Sequence, residues 1–315
     1  MTILAFSQRW DKELGKEDSG NEPDIYELAY QRKSNRGFRG LNLPGFKCLS
    51  EAWEEDATDT NPETIIPCIA WEQRITLFAA REKAGKSTFV GAAVAAVTNG
   101  GEFLAGKCKE GDVVWIGPEE HESDLKLRWK RDWKADMDMI LYSSRNQWLE
   151  DPIQSILLTV EATNPTLVVI DTLWAIASRY VKDENKSAEW TPIKDMLEKI
   201  VREHKSSVLI LAHTTKAHDH RVMEYRGSSA IGGMSDANFK MWPTLKKDGT
   251  KTNIRNVEVG GRNTLGAMDF KYNMVGVKPY IGFELWSNME ERAKAVQEEE
   301  RQQKVAEELR RMAKK

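Results

Sequence analysis

The sequence predicts an α/β protein: a mostly parallel sheet with crossover helices and a late antiparallel extension. Three observations carry that expectation. From about Ile65 to Trp286, short apolar runs alternate with helical patterns. Several of those runs are apolar throughout, as strands covered on both faces must be. The later runs alternate apolar with polar residues instead, as strands of an antiparallel extension do.

Taken in order, residues 1 to 60 are charged and poor in apolar periodicity. They offer one short helix (23–32), a Gly/Arg/Asn-rich stretch (34–43), and a lead toward the core at 49–54, which together read as an arm or linker open to oligomerisation. The region 61–287 reads as one domain, with strands expected at 74–79, 112–117, 138–142, 167–172 and 206–212. Shorter alternating runs follow at 237–242, 253–259, 266–272 and 279–286 and form the antiparallel extension. The tail 288–315 has no Gly or Pro and mixes both charge signs without a heptad register, so it reads as a solvated helix.

Composition bounds the function. Apolar residues make up 40% and charged residues 30%, the balance of an ordinary soluble protein rather than a membrane or disordered one. No apolar run nears the ~20 residues of a membrane span, and no signal peptide is apparent, so a cytoplasmic protein is expected. Cys48, Cys68 and Cys108 keep no paired spacing, which fits a reducing compartment and argues for neither zinc nor disulfides. A net charge of −3 leaves any nucleic-acid contact to local loops.

The most informative stretch is Arg81-Glu82-Lys83-Ala84-Gly85-Lys86-Ser87-Thr88, directly after the apolar run Ile75–Ala79. A strand, a tight loop ending in Gly-Lys-Ser and a small-residue helix are the parts that hold a nucleoside triphosphate. Backbone N–H groups of the loop and of the helix start face the phosphates. Lys86 is expected to reach the β and γ oxygens, and the Ser87 hydroxyl to coordinate magnesium. Ala80 stands where GxxxxGK(S/T) has its first glycine. The expected binding set is therefore Ala80, Lys83, Ala84, Gly85, Lys86, Ser87 and Thr88, with ATP and Mg2+ as cofactors.

Two partner motifs follow. Leu167–Ile170 is a continuous apolar run ending in Asp171, a carboxylate at a strand tip where a magnesium-bound phosphate sits in open α/β sheets. Val113–Ile116 leads through Gly117 and Pro118 to Glu119 and Glu120, expected on a strand beside the nucleotide strand, where a Glu can polarise the attacking water. Of this pair Glu119 is the favoured base.

With these motifs placed, residues from about 65 to 285 resemble the RecA-like ATPases, closest to the hexameric replicative helicases of the plasmid RepA and bacterial DnaB kind and to related phage ATPases. Val113–Glu120 with Arg128 nine positions after Glu119 looks like the family's second strand and catalytic Glu, which makes Glu119 rather than Glu120 the base. Leu209–Thr214 is similar to the family's sensor strand, which makes His213 the γ-phosphate sensor. Arg226–Ala230 resembles a phrase just beyond it. Glu258–Asn263 looks like the segment carrying an arginine finger, Arg262, that reaches a neighbour's nucleotide; the family's lysine two positions earlier is Gly260 here.

The resemblance also implies two loops facing the pore of a ring, after the Asp171 and His213 strands. The first, 174–189, carries Arg179, Lys182 and Lys186 with Trp174 and Tyr180; the second, 214–226, carries Lys216, Arg221 and Arg226 with Tyr225. Cations interleaved with aromatics suit backbone neutralisation and base stacking on single strands. The expectation is a ring-forming homo-oligomer, a hexamer, that hydrolyses ATP and moves on single-stranded DNA as a replicative-type helicase. The alternatives are a recombinase or DNA-loading ATPase without unwinding, or a nucleotide-gated regulatory module.

Overall fold

The continuous apolar runs become strands sealed on both faces, and they set the order of everything else. The computed structural model describes residues 48–51, 62–104, 106–144, 151–214, 229–260, 269–275 and 282–285. The chain divides into Met1–Thr60 and Asn61–Lys315. Of the first unit the described residues include only a helical turn at 49–51. The helices expected at 23–32 and in the tail lie outside the described residues.

In the second unit, a short hairpin of β1 (Thr64–Ile66) and β2 (Ala70–Trp71) precedes β3 (Ile75–Ala80). Helix α1 (Lys86–Thr98) follows, then the small hairpin β4 (Glu102–Phe103) and β5 (Gly106–Lys107). Strand β6 (Val113–Gly117) leads into α2 (Glu122–Leu127), which continues as a π-helical turn over Arg128–Trp133. Next come β7 (Ile140–Ser144), α3 (Pro152–Thr163), β8 (Leu167–Asp171) and α4 (Leu173–Ala177). After a 3-10 turn at Ser187–Trp190 the chain runs through α5 (Thr191–Arg202), β9 (Ser207–His213) and α6 (Ser229–Gly233). The late strands are β10 (Ala237–Leu245), β11 (Lys251–Gly260), β12 (Phe270–Val275) and β13 (Gly282–Leu285).

Nine strands form one sheet in the order β13-β12-β11-β10-β3-β9-β8-β6-β7. Pairing is parallel from β10 to β7 and antiparallel from β10 outward to β13. The chain therefore has the mostly parallel α/β architecture, with crossover helices and an antiparallel extension, that the alternation of elements predicts. One detail differs. Strand β6 does not lie beside β3, because β9 and β8 occupy the two places between them. Parallel pairing still brings every C-terminal tip to the same sheet edge, so Glu119 shares that edge with the phosphate loop although it sits further along it.

Two apolar layers cover the sheet. On one side α1 packs through Phe89, Val90, Val94 and Val97 against Phe78, Trp115 and Tyr272. Phe89 stacks on Tyr272 at 4.4 Å and on Phe78 at 5.5 Å between ring centroids. Buried rings of this kind each stabilise by about 1.5–3 kcal/mol. Gly91 is required by space: a Cβ there would lie 2.3 Å from the Trp133 ring. On the other side α5 buries Ile193, Met196, Leu197 and Ile200, one stripe at helical spacing. Helix α3 starts where Asp151 accepts from Gln154 N (3.2 Å) and Pro152 fills the first turn, and it stops at left-handed Asn164. Among the described residues no helix is long and apolar enough to cross a membrane.

Candidate active site

Strand β3 ends at Ala80, whose carbonyl accepts from Thr214 N (3.1 Å) and whose side chain is wholly buried. Ala80, expected among the binding residues, is the last residue of the strand, directly before the loop. The chain then turns through Arg81–Ala84, with Ala84 N donating to Arg81 O (3.2 Å) and Lys83 exposed at φ 58. Gly85 caps α1 at φ 95, a left-handed conformation that favours glycine. Phe89 N donates to its carbonyl (2.9 Å), the first bond of the helix. Ser87 and Thr88 are half-buried in that first turn.

Lys86 reaches across this edge to Asp171 at the tip of β8, with Nζ 3.5 Å from Oδ1 and both side chains 5% exposed. A buried pair of this kind contributes little net stability, but it holds an ammonium and a carboxylate where the phosphate loop opens. His213 ends β9 in register with Ala80. Burial lowers its pKa first and the charge of Lys86 second, against the raising fields of Glu119, Asp171 and Glu82. Its Nδ1 is buried and unpartnered among the described residues. Lys86, Asp171 and Glu119, the other groups expected on this edge, therefore all act electrostatically on His213.

The two glutamates beyond β6 part company. Glu119 is exposed and lies in the field of His213. Glu120 turns inward and accepts from Arg128 Nη2 (2.5 Å), leaving Oε2 buried without a partner. Burial pushes its carboxyl up, and the Arg128 charge and hydrogen bond pull it down. Arg128 also lies 5.7 Å from the Trp133 ring centroid, both in the π-helical turn that continues α2. Glu120 is occupied as an ion-pair partner; Glu119 is left for solvent and substrate.

The residues present fit ATP and magnesium. The loop supplies a left-handed glycine at a helix start, a buried lysine and a hydroxyl. Among the described residues no three His, Cys, Asp or Glu side chains cluster as an independent metal cage. Magnesium needs only one or two protein ligands, with phosphate oxygens and water completing its octahedron, and the Ser87 hydroxyl and the Asp171 carboxylate are ligands of that kind.

The first of the two loops is more structured than its composition suggests. Trp174 belongs to α4 and packs 6.3 Å from the buried Trp190 ring, and Tyr180 donates to Asp151 (2.7 Å). Glu189 Oε2 accepts from Lys182 N and Asp183 N, and these backbone bonds hold its carboxyl below the usual range. The aromatics expected for base stacking are thus committed to the fold, while Arg179, Lys182 and Lys186 stay exposed. Lys216, Arg221 and Arg226 of the second loop, and Arg262, lie outside the described residues.

Two features were not foreseen. Arg255 on β11 is 6% exposed, and its Nε donates to Ala84 O (2.9 Å), inside the phosphate loop. Beside that loop lies a cavity of about 530 Å³, lined by Arg81, Glu82, Trp242, Thr244, Asn256 and Lys271 among others. In sequence Arg255, Trp242, Thr244, Asn256 and Lys271 belong to alternating strands with no motif of their own; only the sheet pairing brings them beside the loop.

The sequence profile described as AAA domain matches residues 43–219, more than half of the chain. No curated protein sequence matches. Among solved structures, the flagellar accessory protein FlaH from Methanocaldococcus jannaschii is similar at 10% identity and a TM-score of 0.48, covering 69% of this chain and 90% of that one.

Proposed function

Because the chain belongs to the AAA domain family, we propose that it is a magnesium-dependent ATP hydrolase that assembles as a hexameric ring and moves along single-stranded DNA as a replicative-type helicase in the cytoplasm. The hydrolase reading rests on one observation: buried Lys86 paired with Asp171 at 3.5 Å, on the sheet edge that also carries His213 and Glu119.

In this reading Lys86 neutralises the phosphate oxygens, and Ser87 and Asp171 would hold magnesium, Asp171 through water. Bound ATP and its metal supply the phosphoanhydride and the charge that polarises it. Glu119 orients water and takes its proton. His213, kept neutral by burial, offers one ring nitrogen as donor and one as acceptor at the γ-phosphate. The cavity beside the loop takes the nucleoside. The motor reading draws on exposed Arg179, Lys182 and Lys186 beyond β8, which suit a phosphate backbone, and on Arg262 as a charge supplied to a neighbour.

Phosphate release with and without single-stranded DNA, followed by unwinding of a forked duplex, tests this. DNA-stimulated turnover with unwinding is expected. Turnover without unwinding would assign the core to recombination or DNA loading, and binding without turnover to a regulatory module. Mixed Arg262→Ala and Lys86→Ala subunits should recover turnover that neither has alone. A mixture as inactive as its components would remove the ring.

A further inference from the structure

The side chain of Arg255 is a buried cation without a carboxylate partner among the described residues. Its Nε donates to Ala84 O (2.9 Å), and its Nη1 donates to Thr252 O (2.6 Å) and Ile254 O (3.2 Å). Three backbone carbonyls solvate the guanidinium, and one of them belongs to the loop on the far side of the sheet pairing, 171 residues away in sequence. Burial lowers its pKa, yet arginine stays charged. Burying an unpaired charge costs several kcal/mol unless something at the site repays it. What Arg255 touches at the site is the peptide joining Ala84 to Gly85.

That peptide matters because it is planar and trans, so its C=O and N–H point in opposite directions. A guanidinium holding the Ala84 carbonyl toward β11 thereby turns the Gly85 N–H the other way, away from β11. Left-handed Gly85 permits this orientation (φ 95), and Met274 of β12 closes the outer side, 3.7 Å from where a Cβ would be. With the carbonyl free to rotate, its oxygen could face the phosphates and repel them.

We infer that Arg255 is the positioning residue of the phosphate loop: it acts from the antiparallel half of the sheet through the Ala84 carbonyl, and it adds its own positive field to a polyphosphate. The inference rests on the ATP reading above and deepens it. It also explains how a loop lacking the first glycine of the usual motif keeps its shape, since its penultimate peptide is fixed from outside.

The test measures equilibrium affinity for ATP and for adenosine, with a fluorescent ATP analogue as the competed probe, in wild type, Lys86→Ala, Arg255→Met and Arg255→Lys. Thermal melts accompany each. A charge-assisted hydrogen bond of this class corresponds to about ten- to hundredfold in affinity. Arg255→Met is expected to lose about tenfold or more for ATP with little change for adenosine, and KM should rise more than kcat falls. Arg255→Lys should fall between, since one ammonium cannot serve the Ala84 and Thr252 carbonyls as the planar fork does. A purely structural arginine would lower the melting temperature and weaken both ligands alike, and that result overturns the inference. So does wild-type ATP-to-adenosine selectivity in Arg255→Met or, should that variant fail to fold, in Arg255→Lys. If wild type itself does not bind ATP, the underlying reading fails with it; if wild type binds and only Lys86→Ala is impaired, the failure belongs to Arg255 alone.

Discussion

The parallel and antiparallel halves of the sheet serve the phosphate loop in different ways. The parallel half brings titratable groups to strand tips: Asp171 on β8, His213 on β9 and the glutamate pair beyond β6. The antiparallel half brings cations and a cavity: Arg255 on β11, Lys271 on β12, and the recess against Trp242 and Asn256. Under the proposed function, one half would move a proton and the other would hold the ligand. Changes in the first should therefore register in kcat, and changes in the second in KM.

The largest effect should come from Lys86→Ala, with phosphate release falling by at least about 10²-fold once the phosphate charge loses its buried cation. Residual turnover within tenfold of wild type would break the division at its centre. Glu119→Gln should lose about 10²-fold in kcat while ATP binding persists, as for a lost general base. Glu120→Gln should instead weaken the ion pair with Arg128 and lower the melting temperature more than turnover; the reverse pattern reassigns the base. In the antiparallel half, Lys271→Glu should raise KM by about two- to fivefold with kcat kept, the scale of an exposed charge. A drop in kcat alone would blur the comparison.

Smaller effects sharpen its edges. Lys182→Glu with Lys186→Glu should flatten the salt dependence of single-strand binding by a slope of at least about 1, as two phosphate contacts imply; an unchanged slope takes this segment out of the interface. The smallest concerns His213. Its pKa lies below the ordinary 6.5 when folded, so the unfolded chain binds the proton more readily. This contribution to stability is fully present above about pH 6.5 and is lost as pH falls from there toward the folded value. The melting temperature of His213→Asn should show less of this decline than wild type over the same window.

The parallel half was the more legible one. Strands sealed on both faces read as continuous apolar runs, and their bounds fall within two residues of those expected. A functional residue at the tip of such a run, as at Asp171, announces itself. Strand order was less accessible: nothing local in Val113–Gly117 records that β8 and β9 intervene between it and β3. Arg255 was not accessible at all. In Thr252–Val259 it is one cation in an alternating run, and its role arises from pairing that sets position 255 against a loop far back in the chain. Composition likewise does not reveal the contacts that Trp174 makes with Trp190 and Tyr180 with Asp151.

The strand order also governs how the chain can be made. Strand β3 pairs only with β9 and β10 in the large sheet, and both are translated well after it. At ribosomal speed the interval is on the order of ten seconds. For that time Ile75–Ala80, the most hydrophobic start of the nucleotide site, has neither neighbour to pair with, while β6, β7 and β8 can already zip together. The last strands to emerge complete the site begun by one of the first. An arrested nascent chain should gain protease resistance in its phosphate loop only after His213 has cleared the exit tunnel.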